Sequence, residues 1–169
     1  PTATDGVYRP YAVMHTPLES IQVFAVDARG EVPQIHWTGC VPLPEDFRTN
    51  AVSALRDGTI LVNVQMTGTT TNRDFINGRP TGGGFEWKPG REGLRLLLGT
   101  ELAGNNGFEL SPDEREFYIA VSGTQTVAVY ALADTAKPVR TVRTPWFNLD
   151  NIHWSNGRLI AAGVMYDEP

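Results

Sequence analysis

The sequence predicts an all-β chain built as a β-propeller of four-stranded antiparallel blades. Three observations carry that expectation: short runs rich in Val, Ile and aromatic residues between tight turns, almost no helical periodicity, and one structural plan that recurs three times. Short strands at regular spacing would fit a barrel, a sandwich or a propeller; the repeat selects the propeller.

The first meander occupies residues 11–15, 20–27 and 34–41, separated by Thr16-Pro17 and by Ala28-Arg29-Gly30. A second covers residues 51–55, a turn at Arg56-Asp57-Gly58, then 59–64, 84–87 and 94–98. A third covers residues 107–110, a turn at Ser111-Pro112-Asp113, then 117–121 and 127–131. The repeated plan is an Asn or Asp, a short strand, a polar turn and a more apolar strand, and it starts at Asn50, Asn106 and Asp150. Those starts are 56 and 44 residues apart, the span of a four-stranded blade, with the first enlarged by an insertion. The insertion is the Thr/Gly-rich stretch 67–84, long enough to lie over one face, where substrate lids are commonly built.

Composition bounds the function without naming it. The 169 residues, 41% hydrophobic and 20% charged, suit one soluble domain with a real core. A net charge of −5 with interspersed signs supplies no cationic stripe for phosphates, which argues against nucleic acid. No apolar run approaches the roughly 20 residues that span a bilayer. The single cysteine, Cys40, reads as a small buried hydrophobe. Compartment stays open between cytoplasmic and secreted or periplasmic, and any leader before Pro1 is expected to have been removed or to lie outside this sequence.

Equivalent positions of propeller blades point at the central channel, so Asn50, Asn106 and Asp150 are expected to converge there. Amide and carboxylate oxygens suit a hard cation such as calcium, whereas zinc would want His or Cys. Magnesium or manganese would accept similar oxygens, though magnesium demands stricter octahedral geometry. Taken singly, each of these residues is as readily a turn former or a loop cap. His36 and His153 alternate with Trp37 and Trp154 along strands and read as structural.

Several segments resemble the gluconolactonase, senescence-marker-protein and paraoxonase superfamily. Asn106-Gly-Phe-Glu-Leu-Ser-Pro-Asp followed by Phe117-Tyr-Ile-Ala-Val is similar to its signature of an Asn-Gly blade opening, a Ser-Pro-Asp turn and a Tyr-containing strand. Leu149-Asp150-Asn151-Ile152 is similar to the Asp-Asn segment of paraoxonase-like members. The match extends through Ser20-Ile-Gln-Val-Phe-Ala-Val-Asp and Trp37-Thr-Gly-Cys-Val. The resemblance implies a six-bladed propeller that hydrolyses lactones or aryl esters with one calcium ion in its channel; a second, structural ion is a further expectation. It implies Asn50, Asn106, Asp150 and Asn151 as metal ligands, with Asp150 or His15 activating the attacking water.

Two departures accompany the match. The family also uses a first-blade glutamate, which nothing in residues 1–8 supplies, so calcium affinity is expected to be weak. Counting meanders, about three and a half blades are present, so the chain is expected to be one partial propeller domain over residues 1–169 whose remaining blades come from the rest of a parent chain. Two other readings stand beside the hydrolase: a non-catalytic propeller acting as a binding or scaffold module, and a strictosidine-synthase-like propeller, against which the retained Asn, Asn and Asp speak.

Overall fold

The computed structural model describes residues 2–144 and 148–164, and in it the chain forms four antiparallel sheets and almost no helix. The first sheet holds β1 (Thr2–Thr4), β2 (Val7–Arg9), β3 (Tyr11–Met14), β4 (Ser20–Asp27) and β5 (Gln34–Pro42). β2 and β3 pair with successive halves of β4, so they act as one strand interrupted at Pro10, whose carbonyl accepts from Phe24 N at 3.1 Å. Proline has no N–H to give a ladder, and strand assignment lapses at that residue. The second sheet orders β6 (Arg48–Ala54), β7 (Ile60–Met66), β8 (Gly83–Trp87) and β9 (Arg95–Leu96). The third orders β10 (Asn105–Leu110), β11 (Glu116–Val121), β12 (Thr126–Ala131) and β13 (Arg140–Arg143); the fourth pairs β14 (Asn148–Ser155) with β15 (Arg158–Val164).

The sheets pack face to face in chain order. The first strands lie side by side, β6 against β10 and β10 against β14, while β3 flanks β6. This is a propeller-like arrangement of sheets of five, four, four and two strands, and the described residues close no ring. Alternation along each strand explains the packing. In β7, Leu61 faces the third sheet while Ile60, Val62 and Val64 face the first. In β11, Phe117, Ile119 and Val121 face the second sheet while Tyr118 and Ala120 meet Leu149 and Ile152 of the fourth. A strand buried on both faces is mostly apolar, which is why Ile60–Val62 and Phe117–Val121 read as continuous hydrophobic runs; the fully buried Asn63 is the polar exception in β7.

The end strands show the converse. β5 exposes Ile35 and Trp37, β15 exposes Ile160 and Val164, and Cys40 on β5 is exposed rather than buried as expected. No helix among the described residues is long and apolar enough to cross a membrane.

At the centre of the second interface Phe108, Phe117 and Tyr130 stack, with ring centroids 5.2 and 5.1 Å apart. The fully buried Tyr130 hydroxyl donates to the Gly99 carbonyl at 2.7 Å, and burial pushes its pKa up to about 12. Tyr118, on the opposite face, is likewise raised to about 12 by burial and by donating to the Glu116 carboxylate. Raised folded-state values mean that the unfolded phenols, near their ordinary 10, lose protons first as pH climbs. Stability carried by the neutral phenols is therefore full below about pH 10 and is lost as pH rises towards 12. Urea denaturation at pH 8 and pH 11 checks this: the midpoint should fall at pH 11, and Tyr130→Phe should flatten that fall while costing about 1 kcal/mol at pH 8 for the lost hydrogen bond.

Candidate metal site at the bulged ends of the first strands

Asn50, Asn106 and Asp150 share one local geometry: each lies at a β-bulge near the start of the first strand of its sheet. Thr49 pairs with Val64 and Ala51 with Asn63, leaving Asn50 extra. Asn105 pairs with Val121 and Phe108 with Ile119, so Asn106-Gly107 opposes one residue; Leu149 pairs with Gly163 and Ile152 with Ala161, so Asp150-Asn151 does the same. A bulge releases a residue from the ladder and re-aims its side chain. At Gly107 the bulge also brings two backbones together: a Cβ there would lie 2.5 Å from the Asp150 carbonyl oxygen and 2.7 Å from Ile152 N. Only glycine fits that approach.

The second of these residues is held by a buried amide network. Asn63 and Asn105 are fully buried; Asn63 Nδ2 donates to the Asn106 carbonyl at 2.6 Å, and Asn105 Nδ2 donates to Asn63 Oδ1 at 3.1 Å and to the Thr100 carbonyl at 2.9 Å. Asn106 Nδ2 donates to Ser122 Oγ at 3.2 Å, and that hydroxyl donates to the Leu149 carbonyl at 2.6 Å, beside Asp150. With its NH2 so engaged, Asn106 Oδ1 is left buried and without a partner, as are Asn50 Oδ1 and Thr49 Oγ1. A buried oxygen without a hydrogen bond costs about 1–3 kcal/mol and calls for an explanation. Two such amide oxygens at equivalent bulges of adjacent strands fit a hard, oxygen-seeking cation.

The remaining expected residues divide. Asp150 is half-buried on the third bulge, whereas Asn151 beside it is exposed. His15 follows β3, its side chain 61% exposed, with Nδ1 2.8 Å from Glu19 Oε1. Among the described residues no three His, Cys, Asp or Glu gather to hold a metal. His153 lies along β14 with Nδ1 3.2 Å from Glu109 Oε2, and His36 is exposed on β5. The sequence reading missed Glu19, Ser122, Asn63 and Asn105; only the Asn105-Asn106 doublet and the His15–Glu19 spacing could have pointed to any of them.

The insertion sits at this end of the strands. It contains α1 (Asn72–Ile76), a short helix that the sequence reading did not foresee. Phe75 packs onto the second core, and a Cβ on Gly104 would lie 2.9 Å from its ring. Gly68 N donates to both the carbonyl and the carboxylate of Asp46 at 3.1 Å, joining the insertion to the loop that precedes β6. A cavity of about 700 Å³ lies instead towards the other end of the same strands, lined in part by Tyr11, Ala54, Arg56, Leu110 and His153.

No family model and no curated protein matches the sequence. Among solved structures the chain is similar to a luciferin-regenerating enzyme, at 13% identity and a TM-score of 0.46, over 87% of this chain and 66% of that one. It is also similar to a functionally unknown protein from Desulfotomaculum acetoxidans DSM 771, at 17% identity and a TM-score of 0.37, over 81% of this chain and 43% of that one. The chain thus spans less than two thirds of the length of either.

Because Ser122 bridges Asn106 to the strand of Asp150, Ser122→Ala should strand both Asn106 Nδ2 and the Leu149 carbonyl. Chemical denaturation should show a loss of roughly 1–3 kcal/mol with an unchanged m-value; a loss below a few tenths would mean that the bridge contributes little.

Proposed function

We propose that this chain is part of a metal-dependent hydrolase of lactones or aryl esters, with calcium held at the bulged ends of β6, β10 and β14. The observation that carries the reading is the pair of buried, unpartnered amide oxygens of Asn50 and Asn106 at equivalent bulges of neighbouring strands, with the Asp150 carboxylate at the third. The sequence resemblance supports the same residues and the same reaction class.

Asn50 and Asn106 would hold the ion through Oδ1, and Asp150 would supply the charge that two neutral amides cannot. Calcium bound there would polarise the ester carbonyl and stabilise charge developing on its oxygen. The chain's own residues do the rest. Asn63, itself held by Asn105, fixes the Asn106 main chain and Ser122 engages its NH2, which would leave Oδ1 as the atom offered to an ion. Asp150 and His15 are the groups that could accept the proton of an attacking water. Asn151, next to Asp150 on the same bulge, is a fourth ligand in this proposal and would have to turn inward from its exposed position.

One observation favours a second reading, a non-catalytic binding module: the 700 Å³ cavity is lined by residues at the other end of these strands, among them Ala54 and Leu110, and not by Asn50 or Asn106.

Titration calorimetry with calcium, run beside hydrolysis of phenyl acetate and a γ-lactone, decides between them. The unmodified protein should bind calcium and turn over at least one substrate; Asp150→Ala should abolish both, and Asn106→Ala should weaken binding roughly tenfold or more. Calcium affinity unchanged in both variants would remove the proposed site, and binding without turnover would favour the module.

A further inference from the structure

We propose that Glu19 is a positioning residue that fixes the tautomer and orientation of His15, making the outer nitrogen of that imidazole the proton acceptor at the metal-binding end of the molecule. The inference rests on the hydrolase reading for its catalytic meaning, and on geometry alone for the pairing.

Glu19 is 5% exposed, a depth at which carboxylates are seldom found without partners. Both of its oxygens are engaged: Oε1 lies 2.8 Å from His15 Nδ1, and Oε2 accepts from Thr49 N at 3.4 Å. The carboxylate therefore joins the turn after β3 to the residue that precedes Asn50. Its backbone is held as well, the Glu19 carbonyl accepting from Leu43 N at 3.0 Å. On the neighbouring strand, Arg48 turns its guanidinium to the carbonyls of Glu45 and Phe47 at 3.2 and 2.9 Å. Glu19 is accordingly the charged partner that the described residues give to His15.

Chemistry then sets the proton. An ionised carboxylate only accepts hydrogen bonds, so Nδ1 must carry the hydrogen and the neutral ring keeps its lone pair on Nε2. His15 is 61% exposed, which leaves that nitrogen room to meet water and substrate. In ester cleavage a water O–H bond breaks as its oxygen bonds the carbonyl carbon, and its proton moves to Nε2. The resulting imidazolium is stabilised by Glu19; when the acyl C–O bond breaks, Nε2 returns the proton to the leaving oxygen and neutral His15 is restored. A carboxylate that merely fastened a loop would not need its second oxygen on an imidazole, since a glutamine could serve Thr49 N as well.

The test combines nitrogen-15 NMR of the His15 ring with hydrolysis of phenyl acetate and calcium titration, on the unmodified protein, Glu19→Gln, His15→Gln and the double variant. The unmodified ring should be protonated at Nδ1 near pH 8, and Glu19→Gln should lose that preference. kcat should fall by roughly 10²–10⁴-fold in His15→Gln, with a lesser fall in Glu19→Gln and no further loss in the double variant, while KM and calcium affinity stay within about twofold. An Nε2-protonated ring in the unmodified protein, a tautomer indifferent to Glu19→Gln, or an unchanged kcat in His15→Gln would each overturn the proposal. His15→Gln alters only an exposed side chain and keeps the test decisive should Glu19→Gln fail to fold. Absence of turnover in the unmodified protein would instead overturn the hydrolase reading, with the tautomer still reporting on the Glu19–His15 pairing.

Discussion

The contact on which the rest of this molecule depends is the approach of β10 to β14 at Gly107. There the two strands come so close that a methyl group would strike the Asp150 carbonyl. Close approach leaves no space for side chains between the first strands at that height, so polar groups must be satisfied by one another. The Asn106, Ser122 and Leu149 chain of hydrogen bonds does this, and it ties two sheets together through 2.6 and 3.2 Å contacts rather than through apolar packing. On either side of the β14 bulge the interface is hydrophobic, with Tyr118 and Ala120 of β11 and Val127 and Val129 of β12 clustered with Leu149 and Ile152. The polar end is specific and the apolar remainder supplies most of the burial.

That division separates stability from chemistry. The three buried cores lie between sheets, where alternation makes β7, β11 and β12 apolar on both faces. The unpartnered oxygens of Thr49, Asn50 and Asn106 gather at bulges, where the ladder is already interrupted. Bulges free donors and acceptors at little cost to the rest of a sheet, which makes them suitable places to keep oxygens without protein partners. The insertion with α1 reaches the same end, and Phe75 anchors it to the core of the second interface.

Much of this was legible in the sequence because it repeats. Residues 20–27 were read as a strand and form β4 with those bounds, and Asn50, Asn106 and Asp150 stood out as the same step of one plan and occupy equivalent bulges. What escaped has physical reasons. β13 is exposed at all four positions, so no hydrophobic pattern marks it, and the five residues of α1 are too few to show a helical period. Cys40 looked like a core residue, yet β5 is an edge strand with one face open. Glu19 and Ser122 owe their roles to partners 30 and 27 residues away, Thr49 and Leu149, and a single sequence carries no trace of such pairings. Convergence of Asn50, Asn106 and Asp150 was expected from the repeat, and their role as ligands and the part played by His15 from the resemblance; all three stand as proposals.

Placing each candidate ligand on a separate sheet has a consequence for how such a site can change. Because Asn50, Asn106 and Asp150 are borne by three bulges of similar form, exchanging an amide for a carboxylate at any one of them would alter the charge of the cluster by a single unit while the other two sheets keep their registers. Affinity for a cation, its preferred valence and the acidity of water nearby would then be adjustable one blade at a time. The repeated architecture thus separates the electrostatic tuning of these three positions from the problem of folding the sheets that carry them.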